Sequence, residues 1–250
     1  DEDQQITTKD IGSKEEIRKW AAYHGAELYE GADYDLVSQF RCNGSDGYLN
    51  FLDNLLGIKE TANTTFDYDY EIRLFASPTK MREALREKNA VNNKSRMIAG
   101  YCYEWVSESN PTGDDYDIVL EDGFKAKWNF SNSLFAIAPD SFDQVGCIHT
   151  TQKLEFDYCG IIIGQDLRFE NGRVVTDPSK EALSDKSSGI RACKDKALAD
   201  RLIRNTYKTL MSRGQKGCFI YCEDRALLDY ISRSLGIPVT ELSMIIPPFT

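Results

Sequence analysis

Four short segments of the sequence place polar side chains beside predicted strands. They are residues 1–4 (DEDQ), 36–41 (LVSQFR), 147–157 (CIHTTQKLEFD) and 204–214 (RNTYKTLMSRG). Among their residues, Arg41 and Arg213 have the clearest chemistry. A guanidinium is planar, stays protonated and donates two parallel hydrogen bonds, so it binds phosphate groups well. Phosphoryl transfer, which needs positive charge beside the transferred phosphate, is a reaction that such residues suit.

Taken singly, each candidate residue also has an ordinary structural interpretation. Arg213 stands near the end of a predicted long helix and would stabilise its carbonyl groups. Arg41 suits a surface ion pair, and Gln4 lies at a chain terminus, where residues often fray. Glu155 would stabilise the first turn of a helix, and His149 suits a hydrogen-bonded place in the core. The joint occurrence of the four segments in this order outweighs these separate interpretations.

In this order, the four segments resemble motifs III, IV, V and VI of superfamily 1 helicases. More closely, the chain is similar to the Schlafen group 3-like DNA/RNA helicase domain family, found in bacterial proteins, from residue 1 to about residue 236. The third segment with residues 160–164, and the fourth with residues 216–222, carry most of the resemblance. It implies the second RecA-like domain of an ATP-driven nucleic-acid motor.

The resemblance assigns catalytic roles to Arg41, Arg213 and Gln4. The two arginines would reach the γ-phosphate of ATP across an interdomain cleft, and Gln4 would sense that phosphate or the attacking water. The family's phosphate-binding loop, GxxxxGK[ST], and its acidic magnesium-binding strand belong to the first RecA-like domain. No such loop occurs in this sequence. We therefore expect ATP and Mg²⁺ to act in a full-length protein, with the first RecA-like domain as partner and neither ligand bound by this chain alone.

By the same resemblance, Gln152, Lys153 and Glu155 would lie at the nucleotide. Glu155 would accept a hydrogen bond from a ribose hydroxyl. Lys153 stands where the family usually has glycine, and a positive φ at that turn would cost a lysine about 1 kcal/mol or more. We therefore expect Lys153→Gly to raise thermal stability slightly.

Three residues are assigned to nucleic acid, which is expected to be single-stranded DNA or RNA. The resemblance implies that His149 and Thr150 link the nucleotide cleft to the bound strand. Trp105 would stack on an unpaired base, a contact worth about 1–3 kcal/mol. Packing in the core or the cleft is the alternative role of Trp105.

The composition narrows the classes of function further. A net charge of −10 argues against wrapping nucleic acid by bulk electrostatics, although basic residues gather at 80–96 and 191–216. The seven cysteines form no CxxC pair and the chain has two histidines, so no metal site or disulfide framework is expected. No apolar run approaches the length of a membrane span, so no membrane partner is expected. Buried thiols suit the reducing cytoplasm.

Helical and strand patterns alternate along the chain and must position the four segments. Strands are predicted at 26–30, 35–40, 71–75, 97–101, 146–149, 160–164 and 218–222, with a hairpin around Asn171-Gly172. Helices are predicted after Ser13, at 48–56, from Pro78, and at 198–211 and 227–235. The polar stretch 107–133 should form a loop or hairpin excursion, and 176–192 a mobile surface loop.

This alternation predicts an α/β fold with a mainly parallel sheet and helices on both faces. The resemblance makes it a RecA-like three-layer sandwich. The domain is expected to span residues 1–240, followed by a tail at 241–250.

Two other classes of function stay open at this point. Asp157, Asp166, Glu170 and Asp177 lie near the ends of predicted strands and could bind Mg²⁺ in a metal-dependent nuclease. Their spacing has no order, and no catalytic lysine adjoins them. The other alternative is a non-catalytic interaction module that kept the fold and lost the motor.

Overall fold

The computed structural model describes residues 5–10, 13–31, 34, 42, 46–62, 70–130 and 134–240. Its strands are β1 (Glu71–Phe75), β2 (Ser95–Ala99), β3 (Ile118–Val119), β4 (Lys125–Ala126), β5 (Val145–Cys147), β6 (Phe156–Ile163), β7 (Leu167–Glu170), β8 (Arg173–Thr176), β9 (Gly214–Cys222) and β10 (Val239–Thr240). Its helices are α1 (Lys14–His24), α2 (Asp46–Leu55), α3 (Pro78–Asn92), α4 (Ile148–Thr151), α5 (Lys196–Met211) and α6 (Arg225–Leu235). Within these ranges, six parallel strands form the main sheet in the order β10-β1-β9-β6-β2-β5.

The central strands β6 and β9 are apolar because both of their faces are covered. The three isoleucines at 161–163 are wholly buried, as is usual for a parallel strand between two layers of helices. The connection from β1 through α3 to β2 runs toward the β5 end of the sheet. The connections from β6 through α5 to β9 and from β9 through α6 to β10 run toward the β10 end. Right-handed crossovers therefore place α3 on one face and α5 and α6 on the opposite face. This confirms the predicted α/β fold and its RecA-like three-layer arrangement.

Helix α3 begins as its sequence predicts and approaches β6 closely. The Ser77 side chain accepts a hydrogen bond from the Lys80 N–H, and Pro78 occupies the first turn. A Cβ at position 160 would overlap Leu85 Cδ1. Because Leu85 is fully buried, it would have to shift within the core to make room for a side chain there.

Two of the predicted local elements are wrong. Residues 26–30 have no regular secondary structure and are exposed, so a strand there would have no apolar face to bury. The segment 176–192 is not a mobile surface loop, because part of it packs into the domain. Its buried residues are Glu181, Ala182, Asp185, Ser188 and Ile190. The predicted strand at 35–40 and the tail at 241–250 lie outside the described residues.

The described part of the predicted excursion at 107–133, residues 107–130, contains a small hairpin that is fastened to the main sheet. Strands β3 and β4 pair in antiparallel fashion. The buried Asp117 carboxylate accepts hydrogen bonds from the Ser107 N–H, the Ser107 hydroxyl and the Trp128 N–H, each 2.7 Å long. Trp128 also bridges to Val145 of β5 in parallel orientation. The hairpin is therefore an ordered extension of the edge of the sheet.

Two further expectations can be checked on the described part of the chain. Asn171 and Gly172 have φ angles of 52° and 80°, the positive values that a tight two-residue hairpin turn needs. Strands β7 and β8 pair in antiparallel fashion on either side of them, which confirms the predicted hairpin. Among the described residues, no helix combines the length and the apolar character that crossing a membrane requires.

Candidate functional site at the amino edge of the sheet

The third and fourth segments meet where β6 and β9 begin. Parallel strands start at one edge of a sheet, here called the amino edge, and end at the other, the carboxyl edge. The third segment runs from the end of β5 through α4 to the start of β6, and the fourth runs from the last turns of α5 into β9. The Phe156 N–H donates a hydrogen bond to the Arg213 carbonyl (3.0 Å). The two segments are therefore joined to each other at the amino edge.

The side chain of Arg213 strengthens this junction. Its Nε donates to the Thr209 carbonyl (3.0 Å) and its Nη1 donates to the Gln152 carbonyl (2.6 Å). Arg213 is 2% exposed, so these carbonyl dipoles stabilise its charge in place of water. In the structure, the contacts of the Arg213 side chain are those of a residue that stabilises the end of its own helix, which is the structural interpretation of Arg213. Its contact with a phosphate stays a prediction.

Two buried tyrosines support the end of α5. The last carbonyl groups of a helix have no partner inside the helix. The Tyr48 hydroxyl donates to the Met211 carbonyl (3.1 Å), and the Tyr70 hydroxyl donates to the Gly214 carbonyl (3.1 Å). Burial raises the pKa of both tyrosines well above its usual range, so both hydroxyls stay protonated as donors. Sequence reasoning missed both, because no local pattern links them to a helix so distant along the chain.

The second segment leads to the same junction. Arg41 lies outside the described residues, but Cys42 follows it directly and is wholly buried. The Cys42 thiol lies 3.6 Å from the carbonyl oxygen of Ser212. The chain therefore reaches the residue before Arg213 immediately after Arg41.

The first segment leads to helix α5. Gln4 and the residues before it lie outside the described residues. The next residue, Gln5, is buried, and its carbonyl accepts a hydrogen bond from Asn205 Nδ2 of α5 (3.0 Å). The fourth segment therefore includes the end of α5. Each of the other three leads directly to a contact with α5 or with the residues that join α5 to β9.

The turn between α4 and β6 exposes two of the predicted nucleotide residues. Lys153 and Glu155 are exposed, and Gln152 is half-buried. The Leu154 N–H donates to the Thr151 carbonyl (2.9 Å), so the turn continues the winding of α4. Lys153 does not have a positive φ. The expectation of a strained lysine is therefore wrong, because this turn needs only backbone angles that any residue adopts.

His149 and Thr150 lie at the opposite, carboxyl edge of the sheet. The predicted strand at 146–149 ends at Cys147, and α4 begins directly after it. His149 Nε2 is 3.4 Å from Asp185 Oδ1, and Thr150 Oγ1 accepts a hydrogen bond from Asn129 Nδ2 (3.1 Å). The structure thus separates these two residues from Arg213 and connects the two edges through one short helix and its turn.

An ionised carboxylate accompanies His149. Burial of Asp185 opposes its ionisation, but hydrogen bonds from His149 and Ser188 outweigh burial and lower the pKa of Asp185 to about 2. The His149 ring also meets the Tyr101 ring edge to face, with 5.9 Å between centroids. These contacts fix the orientation of His149 at the carboxyl edge.

Trp105 is half-buried at the start of a 3₁₀ turn that spans Val106–Ser109. It packs against the hydrophobic core, which agrees with the packing role that the sequence left open. Stacking of Trp105 on a base stays a prediction.

The four acidic residues of the nuclease hypothesis do not converge on one point. Asp157 lies at the amino edge in an ion pair with a lysine of β9 (2.7 Å), whereas Asp166 lies beyond the opposite end of β6. Glu170 and Asp177 both bind Arg168, at 2.8 and 3.2 Å. This arrangement gives no shared Mg²⁺ site for the four.

A different acidic group lies buried at the carboxyl edge. The Cys102 sulfur and carboxylate oxygens of Asp166 and Glu181 lie within 4.8 Å of one another, and the Tyr207 hydroxyl donates to Asp166. Burial and the Asp166 charge raise the pKa of Glu181 well above its usual range, which favours the neutral form of Glu181 beside Asp166. A thiol beside carboxyl groups is a set that suits Zn²⁺ better than Mg²⁺.

Comparison with known families agrees with the arrangement of the segments. Residues 1–224 match the model of a family described as Schlafen group 3, DNA/RNA helicase domain. The chain belongs to this family. The match includes all four segments, confirms the resemblance seen in them, and supports nucleotide binding as a general property of this helicase domain.

A yeast relative extends the comparison. The uncharacterized protein YPL245W of Saccharomyces cerevisiae is 23% identical to the chain over 223 residues. The alignment covers 80% of the chain and 48% of the yeast protein, so the chain spans about half the length of this curated relative. Because this relative comes from a eukaryote, the resemblance alone does not indicate a bacterial source.

Proposed function

We propose that the chain is the C-terminal motor half-domain, the second RecA-like domain, of an ATP-dependent DNA or RNA helicase or translocase. The observation that carries the proposal is the junction at the amino edge, where Arg213 joins α5, β9 and the residues before β6. Gln152 of the third segment and Arg213 of the fourth meet there, and Cys42, which follows the second segment, contacts Ser212. In such a motor, the nucleotide lies between two RecA-like domains, and this edge would face it.

Phosphoryl transfer needs positive charge and a positioned water more than covalent chemistry from the protein. Arg213 supplies that charge by exchanging its hydrogen bonds with the Thr209 and Gln152 carbonyls for hydrogen bonds with phosphate oxygens. The exchange is favourable because a phosphate carries a full negative charge, whereas a carbonyl group is only a dipole. Cys42, which follows Arg41 directly, lies against the end of α5, and this position supports the same role for Arg41. Both arginines would then bring positive charge to the nucleotide.

The resemblance assigns the binding of Mg²⁺ to the first RecA-like domain. In the described ranges, the buried group at the carboxyl edge is the one cluster of three candidate metal ligands. It lies far from Arg213 and contains a thiol, which Mg²⁺ disfavours. The exposed Glu155 acts on the ribose by accepting a hydroxyl hydrogen bond. Because its sequence has no phosphate-binding loop, we expect the chain alone to be inactive toward ATP.

Replacement of Arg213 by alanine in the full-length protein tests the proposal. The change should lower kcat for nucleic-acid-stimulated ATP hydrolysis by about 10²–10⁴, the range for groups that stabilise charge in the transition state. Nucleotide Kd should change much less. Because Arg213 is buried, the variant also loses stability, so turnover is measured well below its Tm and folding is checked by circular dichroism. Arg213→Lys should rescue poorly, since a point charge lacks the planar fork.

The matched control is Arg233→Ala, which removes an exposed arginine from the last turn of α6. Its kcat should equal that of the parent. Near-normal turnover in folded Arg213→Ala would overturn the proposal.

A non-catalytic interaction module is the second candidate, and one observation favours it. The Arg213 guanidinium is held by carbonyl groups of its own domain, as a purely structural arginine would be. In that case the full-length protein hydrolyses no ATP, and Arg213→Ala lowers only Tm. The same experiment therefore separates the two functions.

A further inference from the structure

A basic pocket lies between α3 and the β3–β4 hairpin, away from the amino edge. It encloses about 520 Å³, within the range of small-ligand sites. Four cationic side chains and two aromatic rings line it: Arg82, Arg86, Lys125, Lys127, Tyr116 and Phe130. This local concentration of positive charge contrasts with the net charge of −10 of the chain.

The four cations form two rows. Arg82 and Arg86 are four residues apart on α3, so they share one face and lie about 6 Å apart along the helix. Lys125 and Lys127 are two residues apart on β4 and its extension, so they point to the same side and lie about 7 Å apart. The Lys127 ammonium is held by the Pro111 carbonyl (2.8 Å). Two rows of repeated charge suit a chain of phosphates better than a single anion.

The positive charge of the pocket is only partly neutralised. Asp140 and Asp143 also line it, so two carboxylates face four cations. Arg86 pairs with Asp143 at 2.7 Å, but both side chains are more than half exposed. Arg82 donates to the Lys125 carbonyl (3.1 Å), and burial together with the charge of Arg86 lowers the pKa of Arg82. A bound anion would offset the repulsion between the charges of Arg82 and Arg86.

Two aromatic rings are exposed in the same pocket. Tyr116 is 44% exposed and Phe130 is 49% exposed. The ammonium groups of Lys125 and Lys127 lie 5.7 and 5.8 Å from the centre of the Tyr116 ring. Exposed rings beside cations can stack on unpaired bases while the cations bind the backbone. A duplex offers no such free base, so the pocket favours a single strand.

The hairpin wall of the pocket is fastened at its turn. Asp122 accepts hydrogen bonds from the hydroxyls of Ser77 and Thr79 at the start of α3, the latter at 2.8 Å. The neighbouring Glu121 forms an ion pair with Arg225 of α6 (2.7 Å). The two rows of cations are therefore fixed relative to each other, and binding needs to order little of the protein.

The pocket also adjoins a residue that the resemblance links to nucleic acid. Phe130 lines the pocket, and the preceding residue, Asn129, donates to the Thr150 hydroxyl (3.1 Å). A strand that crosses the carboxyl edge at Thr150 can therefore continue into the pocket.

We propose that this pocket binds a single-stranded polynucleotide, with phosphates between the two rows of cations and an unpaired base on Tyr116 or Phe130. The inference rests on the proposed function, because a motor needs a strand to move along. It adds a contact surface that none of the four segments contains.

Binding of fluorescein-labelled oligothymidylate and oligouridylate to the full-length protein, without nucleotide, tests the pocket. Lys125→Ala should weaken binding several-fold and reduce the slope of log K against log salt by about 0.7, the loss of one phosphate contact on a single strand. Phe130→Ala should weaken binding about fivefold or more with little change in slope, because it removes stacking. The controls are Lys180→Ala and Tyr23→Ala, which change exposed side chains elsewhere.

Photocrosslinking locates the bound base independently. An oligonucleotide that carries iodouracil should crosslink to Tyr116 or Phe130. Unchanged affinity and slope in both pocket variants, or crosslinks elsewhere only, would overturn the proposal. So would competition by a free mononucleotide that equals competition by the oligonucleotide, since the ligand would then not be a strand.

These results are distinguishable from failure of the proposed motor. If the full-length protein hydrolyses no ATP but the pocket variants bind more weakly, the pocket stands and the motor assignment fails. If hydrolysis is intact and the variants bind like the parent, the motor assignment stands and the pocket fails.

Discussion

Arg213 and Arg96 are buried arginines that donate hydrogen bonds to carbonyl groups. Arg96 is wholly buried in β2, where its Nη1 donates to the Ser95 carbonyl (2.8 Å). In the sequence, Arg96 belongs to the same basic cluster as Arg82 and Arg86, yet only the latter two line the basic pocket. Residue type and spacing indicate that charge is present, but the fold decides whether the charge meets solvent, a ligand or the backbone.

The revised geometry of Lys153 reverses the expected effect of its replacement. Because its φ is not positive, glycine relieves no strain there and only adds freedom to the unfolded chain. Lys153→Gly should lower the free energy of unfolding by about 0.5–1 kcal/mol, measured by urea denaturation. Lys153→Ala is the control and should be closer to the parent. A more stable glycine variant would show that the turn is strained after all.

Glu181 should make stability depend on pH. Burial and the Asp166 charge raise its pKa in the folded protein, so the folded state keeps a proton that the unfolded chain releases above about pH 4.3. The stability this proton contributes is complete below that pH and is lost as the pH rises toward the folded pKa. Glu181→Gln is neutral at every pH, so its stability relative to the parent should increase as the pH rises above the pKa of the unfolded chain.

The control for this titration is Glu87→Gln, which changes an exposed glutamate of α3. The same measurements on this variant show how much of any pH dependence comes from changing an exposed glutamate. If the stability difference for Glu181→Gln did not vary with pH, the carboxyl group of Glu181 would be ionised in the folded protein throughout.

At the scale of elements, the sequence predicted the long buried strands well and the short or polar elements poorly. A run of three isoleucines, as in β6, is typical of a strand that is covered on both faces. The Asn171-Gly172 turn needs positive φ angles, which these two residue types adopt readily. Helix α4 has only four residues, too few to show a helical period. Segment 176–192 looks like a surface loop because its buried residues are mainly polar. Contacts with distant residues also hold it in the domain, such as the hydrogen bond from the Ala182 N–H to the Tyr101 carbonyl (2.9 Å).

The packing of α3 on β6 can be tested at Gly160. A methyl group there would overlap the fully buried Leu85. Gly160→Ala should therefore destabilise the protein by about 1–3 kcal/mol, measured by chemical denaturation. In the double variant with Leu85→Ala, part of this cost should disappear because the space is vacated. Strictly additive effects would show that the two residues do not limit the approach of the helix.

At the scale of the whole molecule, the order of the four segments was sufficient to indicate the family. The separation of His149 and Thr150 from Arg213 between two edges of the sheet could not be predicted, because it depends on the path of residues 148–155 back across the sheet from the end of β5. The basic pocket could not be predicted from the sequence either, because its two rows of cations come from a helix and a hairpin that only the fold brings together. The surfaces that we propose for the nucleotide and for the strand are thus set by topology.

The measurement that tests the central claim most directly is the double replacement of Arg41 and Arg213 by alanine in the full-length protein. If both arginines act on one γ-phosphate, kcat for nucleic-acid-stimulated ATP hydrolysis should fall by about 10²–10⁴ in each single variant. The loss in the double variant should then be far smaller than the product of the two single losses, because both residues serve the same group. Losses that multiply, or near-normal turnover in either folded single variant, would contradict the account.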